Sequence, residues 1–285
     1  MFSDVLLTVD YDRTLTAPDS TIPARNLEAI RWFMENGGAF TVNTGRSLPM
    51  VHSFKENIPM NAPLLIYNGG AAYDLVREEI IFMQEIQMDM WKTIHELLEL
   101  FPDLTVEVQA LDKHYDFLPN PAWDAFSGNN CAYATAADGQ DLGPFLKFTL
   151  YGAISDVTVA QFYSGTPEEL RRMDEVEKLI KEIYGDKVAV ARSCPRIIDV
   201  QANGVNKAVS ARRLQKELGR KILVCAGDAE NDITMLDGAD YAFVPADAVL
   251  KDRYENVCNC AEGAVAEVIY KKIPAILNLD LDKRG

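Results

Sequence analysis

The chain has 285 residues, 48% of them hydrophobic and 25% charged, a composition that builds a sizeable core in two domains. Its formal net charge of -15 and pI near 4.7 argue against nucleic acid or an anionic membrane surface as partner, while leaving room for a small anionic substrate at a local site. The N-terminus MFSDVLLTVD has neither a basic n-region nor a long apolar h-region, so no secretory signal is expected. No apolar stretch reaches the length of a membrane span.

In chain order, Val5 to Val9 reads as a buried parallel strand, closed by Asp10 and Asp12. A polar loop from Tyr11 to Ile22 leads to a helix with Pro23 in its first turn, stopped at Gly37-Gly38. Ala39 to Asn43 is a second strand, followed by Thr44-Gly45-Arg46-Ser47. A helix through Met50, Val51 and Phe54 precedes a third strand, Pro63 to Tyr67, which ends in Asn68-Gly69-Gly70. This alternation predicts a doubly wound parallel sheet.

The pattern changes near Ala71. A hairpin over Ala71 to Gln84, an amphipathic helix from Met88 to Phe101 and strands at Leu104 to Gln109 and Phe145 to Tyr151 are expected; Asp112 to Gly143 has no assignable periodicity. Thr166-Pro167-Glu168-Glu169 is a capping box opening a long helix to Tyr184, and strands follow at Lys187 to Arg192 and Ile197 to Gln201. The α/β rhythm then returns: a helix from Asn206 to Leu218, a strand from Lys221 to Ala226 ending in Gly227-Asp228, a helix at Ile233 to Leu236, a strand at Tyr241 to Val244, and a last helix from Ala261 to Lys272. The expected architecture is a discontinuous α/β core, 1–83 and 197–285, with an inserted α+β domain at 84–196 whose sheet is antiparallel.

Five cysteines, an odd number at irregular spacing (Cys131, Cys194, Cys225, Cys258 and Cys260), argue against a disulfide framework and fit a reducing cytoplasm. His52, His95 and His114 have no motif around them. Four stretches do carry chemistry. Asp10-Tyr11-Asp12, Thr44-Gly45-Arg46, Lys207 and Gly227 to Asp232 fall at strand ends or at a helix start, where open α/β sheets bind ligands. Together they offer clustered carboxylates, a hydroxyl, a lysine and glycine turns, an inventory suited to phosphoryl transfer with Mg²⁺. Singly, each stretch is an ordinary turn or helix cap.

In this order and spacing the four stretches resemble the haloacid dehalogenase (HAD) superfamily, in its Cof-type branch with a C2-type cap. DYDRT matches the family's DxDxT, Thr44 in NTGRS its second motif, Lys207 its third, and GDAEND its GDxxND. The resemblance implies a Rossmann-like core and a Mg²⁺-dependent phosphatase acting on a small phosphorylated metabolite, a sugar phosphate above all. It implies Asp10 as nucleophile and Asp12 as acid and base. Thr44, Gly45, Lys207 and Asn231 would hold phosphate, and Arg46 would reach the substrate or the cap. Metal would lie among Asp10, Asp12 (through its carbonyl) and Asp228, with Asp232 supporting it through a water or holding Lys207. A phosphomutase would use the same acids, and a non-catalytic binding protein on this scaffold is the remaining alternative. Cap aromatics Tyr115, Phe117, Trp123, Phe126 and Tyr133 are candidates for a pocket lining or for core. One departure stands out: the family usually has glycine after the second aspartate, and here it is Arg13, which is expected to point away from the site.

Overall fold

The computed structural model describes residues 1–117, 133–152 and 165–279. Its strands, in chain order, are β1 (Val5–Val9), β2 (Ala39–Val42), β3 (Leu64–Ile66), β4 (Ala71–Asp74), β5 (Glu79–Met83), β6 (Thr105–Gln109), β7 (His114–Phe117), β8 (Tyr133–Ala134), β9 (Lys147–Tyr151), β10 (Val188–Cys194), β11 (Ile197–Ala202), β12 (Ile222–Ala226), β13 (Tyr241–Pro245) and β14 (Glu255–Val257). The longer helices are α1 (Ala24–Glu35), α2 (Met90–Leu100), α3 (Pro167–Tyr184) and α4 (Lys207–Glu217). Contacts divide the chain into two units. The first holds Met1–Thr44, Ser53–Ile81 and Asn206–Gly285; the second holds Gly45–His52 and Phe82–Val205.

The first unit is built on a five-stranded sheet in the order β14-β13-β12-β1-β2. Every neighbouring pair is parallel. The VLLTV run of β1 is buried throughout, as a strand covered on both faces requires. β1 pairs with β12 from Val5↔Ile222 to Val9↔Ala226, so the two ends of the chain meet at the middle of the sheet. β14 was not expected from the sequence. The third expected core strand is shorter than its apolar run. β3 joins a separate sheet, β3-β4-β5, pairs antiparallel with β4, and touches the main sheet through an isolated parallel bridge, Asn43↔Leu65. The cause is local: Tyr67, Asn68 and Gly69 all have positive φ and turn the chain back at once. Pro23 caps α1 rather than entering its first turn. The last helix starts only after Gly263, held left-handed at φ 92°, and continues through Ile276 by way of a widened turn at Val268–Lys272.

The second unit carries a six-stranded sheet in the order β10-β11-β9-β6-β7-β8. Its pairs are antiparallel except β7 with β8, which is parallel. β11 lies between β10 and β9, so the return to the core falls at Asn206 and not at 197, and residues 45–52 belong with this unit as well. One face of the sheet is apolar. Val106, Val108, Phe148, Leu150, Ile198 and Val200 pack with Ile94 and Leu97 of α2 and Met173, Val176 and Ile180 of α3. The expected capping box opens α3, with Thr166 Oγ1 accepting from Glu169 N and Pro167 at the first helical position. Tyr115 and Phe117 join this apolar core, which favours packing over pocket lining for both. Trp123, Phe126 and Cys131 lie outside the described residues, and so does the side chain of Tyr133.

Candidate active site

The expected site residues of the first unit come together at the carboxyl ends of β1, β2 and β12. Asp10 N continues the β1 ladder by donating to Ala226 O at 2.9 Å. The chain then turns tightly, with Leu15 N donating to Asp10 O at 3.2 Å and Thr16 N to Tyr11 O at 3.0 Å. Asp12 sits half-buried in this turn. Thr44, at the end of β2, is fixed by backbone bonds: its N–H donates to Leu65 O at 2.9 Å and its carbonyl accepts from Asn68 N at 3.0 Å.

Lys207 opens α4, whose N-terminus is capped by Asn206 accepting from Val209 N at 3.0 Å. The Lys207 side chain is fully buried and its ammonium donates to Asp10 Oδ1 at 2.5 Å and to Asp232 Oδ1 at 2.7 Å. Asp232 in turn accepts, through Oδ2, from Asp228 N at 2.9 Å and Ala229 N at 3.2 Å. Both its oxygens are therefore engaged by protein. Gly227 is required by this arrangement, since a Cβ there would lie 2.6 Å from Asp232 Cβ and Cγ.

Asp10, Asp228 and Asp232 each place an oxygen within 4.8 Å of the others, and all three are buried. Burial raises the Asp10 carboxyl; Lys207 lowers it but does not offset burial together with Asp232 and Asp12, and it settles at about 7. Burial, with Asp232 and Asp10, also holds Asp228 well above the usual carboxylate range. For Lys207, burial alone would pull the ammonium down, but Asp10 and Asp232 outweigh it and raise it above an ordinary lysine. Three clustered carboxylates facing one lysine are an excess of negative charge that a cation relieves. The donors are all hard oxygens, which fit Mg²⁺ and not a soft metal.

Arg13 does not point away. It takes a left-handed conformation, φ 58° and ψ 10°, and its Nε lies 3.9 Å from Asp228 Oδ2. Its backbone N–H donates to Thr16 Oγ1 at 3.1 Å, which holds the turn. A non-glycine residue in that conformation costs about 1–2 kcal/mol, partly offset by the lower entropy of a non-glycine unfolded chain. Arg13→Gly should therefore melt about 1–3 °C above Arg13→Ala in the metal-free protein, both variants lacking the contact with Asp228. Differential scanning calorimetry checks it, and an Arg13→Gly protein melting no higher than Arg13→Ala would show that the turn stores no strain.

Sequence reasoning missed Asn43 and read Asn68 only as part of a tight turn near the site. Asn43 Nδ2 donates to Lys207 O at 2.9 Å and ties the end of β2 to the start of α4. Asn68, in the left-handed turn after β3, accepts from Asn231 Nδ2 at 3.4 Å, so the NGG stretch braces the site. Gly69 makes the close approach possible, as a Cβ there would meet Asn206 O and Ser210 Oγ at 2.5 Å. A polar residue directly after an apolar strand was the available signal for Asn43. Gly45 and Arg46 group with the second unit, and both are half-buried.

The haloacid dehalogenase-like hydrolase family matches residues 7–269 of the chain. The chain belongs to this family. Among its HAD relatives, 5-amino-6-(5-phospho-D-ribitylamino)uracil phosphatase YcsE of Bacillus subtilis is 25% identical over 93% of this chain and 94% of its own. The phosphatase of the same name, YbjI of Escherichia coli, is 28% identical over 93% of this chain and 95% of its own. The structure of the HAD subclass IIB sugar phosphatase BT4131 superposes with a TM-score of 0.75 at 18% identity, covering 96% of this chain and 98% of that one. The HAD fold, with its α/β core and α+β cap, is thus the fold of this protein. Among the described residues no helix is long and apolar enough to cross a membrane.

Proposed function

We propose that this HAD hydrolase is a Mg²⁺-dependent phosphatase of a small phosphorylated metabolite, a sugar or polyol phosphate monoester, working through an aspartyl-phosphate on Asp10. The observation that carries the reading is the Asp10 carboxylate, 2.5 Å from a buried lysine inside a cluster of three acids. Asp10 attacks phosphorus while the bond to the leaving oxygen breaks, and Asp12 gives its proton to that oxygen. Asp12 then takes a proton from the water that attacks phosphorus, releasing phosphate and freeing Asp10. Thr44 and the Gly45 N–H hold phosphate oxygens, with Asn231 beside them; Arg46 reaches toward the leaving group. Lys207 faces the phosphate and favours the ionised form of Asp10 against the pull of burial.

Asp10, Asp228 and the Asp12 carbonyl would hold the cation, which would supply charge neutralisation between attacking carboxylate and phosphate. Asp232 serves as the lysine's second partner, because both of its oxygens already accept from protein groups. The relatives named for a phosphoribitylamino substrate, and the sugar phosphatase of like fold, support a polyol or sugar leaving group. The acidic surface favours a small molecule over nucleic acid, and the cysteine usage favours the cytoplasm.

The test is a panel of pentitol, pentose and hexose phosphates assayed for phosphate release with Mg²⁺. Release should fall by more than about 100-fold in EDTA and return with excess Mg²⁺. Turnover that survives EDTA would overturn the metal assignment. Isomerised sugar phosphate without free phosphate would make the protein a mutase, and no turnover on any ester would leave only a binding role.

A further inference from the structure

The six-stranded sheet of the second unit has a second face that is polar yet buried. Glu107 and Gln109 of β6, His114 and Asp116 of β7, Lys147 and Thr149 of β9, and Asp199 and Gln201 of β11 alternate with the apolar positions, and all are buried. Buried charges on a sheet face persist only when paired or put to use. Six of them fall into two sets, joined by a 3.4 Å donation from Gln109 Nε2 to Thr149 Oγ1. Asp199 Oδ1 accepts from Lys147 Nζ at 2.9 Å and from Thr149 Oγ1 at 2.9 Å, and Asp199 Oδ2 accepts from Ser193 Oγ. Glu107 Oε1 accepts from Gln109 Nε2 at 2.6 Å and lies 3.3 Å from His114 Nδ1.

Each set ends on the same short segment of chain. Lys147 Nζ donates to Gly45 O at 2.8 Å, and His114 Nε2 shares a 2.6 Å hydrogen bond with Ser47 Oγ, itself buried. Gly45 and Ser47 flank Arg46 and directly follow Thr44, which is already fixed by Leu65 and Asn68. Glycine at 45 has wide freedom in φ and ψ, so the peptide after it gains from a restraint outside the loop. An ammonium held by one carboxylate and a buried ring lying beside another supply that constraint from outside the loop.

We propose that Lys147 and His114 are positioning residues for the phosphate loop: with Asp199 on the lysine and Glu107 beside the ring, they fix the Gly45 carbonyl and the Ser47 hydroxyl and so hold the backbone that carries the Gly45 and Arg46 amides. This role rests on the reading of Thr44 and Gly45 as phosphate-holding groups. It differs from a leaving-group contact, because it acts on the phosphoryl end and is the same for every substrate.

Two readouts test it. Hydrogen exchange of the amides at 45–48, measured without substrate, should quicken by about tenfold or more in Lys147→Met and in Ser47→Ala, with β6 and β9 unchanged in the latter. Lys147→Arg, which keeps the charge and a donor, should restore most of the protection. In steady-state kinetics, Lys147→Met and Ser47→Ala should lower kcat/KM by a similar factor, on the order of ten- to a hundredfold, for an aryl phosphate and for sugar phosphates. The inhibition constant of inorganic phosphate should rise alongside. Ser47→Ala leaves the Lys147–Asp199 pair intact and keeps the test informative if the lysine variant fails to fold. Unchanged exchange at 45–48, or losses confined to sugar phosphates with phosphate inhibition intact, would overturn the role. If the wild-type protein hydrolyses no phosphate ester while the variants still loosen 45–48, the functional reading falls and the clamp stands.

Discussion

Asp10→Asn should lower turnover of a generic aryl phosphate by about 10⁵-fold or more, the scale of losing a covalent nucleophile, while the fold is retained. The amide leaves an oxygen to accept from Lys207, and Lys207 keeps Asp232 at 2.7 Å. The substitution also removes one of three carboxylates crowded within 4.8 Å. The melting temperature of the metal-free variant should therefore stay within about 3 °C of wild type or rise. Stopped assays of phosphate release, paired with calorimetry, check both halves. Full turnover in a folded Asp10→Asn protein would remove Asp10 as nucleophile, and with it the acid–base role of Asp12.

Lys207→Met should be costly in stability as well as activity. The lysine is fully buried and is the common partner of Asp10 and Asp232. Removing one partner of a buried ion pair typically costs about 3–5 kcal/mol, since the charge left behind has no water to turn to. For a protein of this size that is a fall of roughly 10 °C in melting temperature. Excess Mg²⁺ should recover part of it, because a cation at Asp10 and Asp228 relieves the same surplus. Lys207→Met with Asp232→Asn should be more stable than Lys207→Met alone, as the second change removes one orphaned charge. Calorimetry of the two variants with and without Mg²⁺ decides it; a Lys207→Met protein melting within 2 °C of wild type would mean that the lysine does not neutralise the cluster.

The residues proposed to carry the chemistry stood out because such chemistry restricts them to few side-chain types at strand ends or a helix start, in a fixed order along the chain. Asp10, Thr44, Lys207 and Asp228 fall where the alternation of strands and helices places them, and β1, β2 and β12 are apolar runs that admit little else. Groups acting through shape were hidden. Asn43, Asn68 and Gly69 brace the site by backbone conformation and close approach, which a single sequence does not display. The expected boundary at 197 failed because β11 has the same apolar signature in either sheet, and only its pairing with β9 and β10 assigns it. Arg13 was misjudged because a left-handed arginine is disfavoured on local grounds, and the bonds of the turn from Asp10 to Thr16 hold it there. Lys147, His114 and Asp199 read as ordinary strand residues until the register aligned them on one buried face.

The pairing of β1 with β12 has a consequence for biosynthesis. β1 leaves the ribosome early, but the partner for one of its edges, beginning at Ile222, is more than 200 residues later in the chain. At about 5–20 residues per second, that edge waits roughly 10–40 s for its neighbour. In the interval this largely apolar and β-branched strand presents unpaired backbone to its surroundings, the condition under which strands find wrong partners. Val5–Val9 is thus both the strand that leads into Asp10 and a segment of the nascent chain that a holding chaperone would protect.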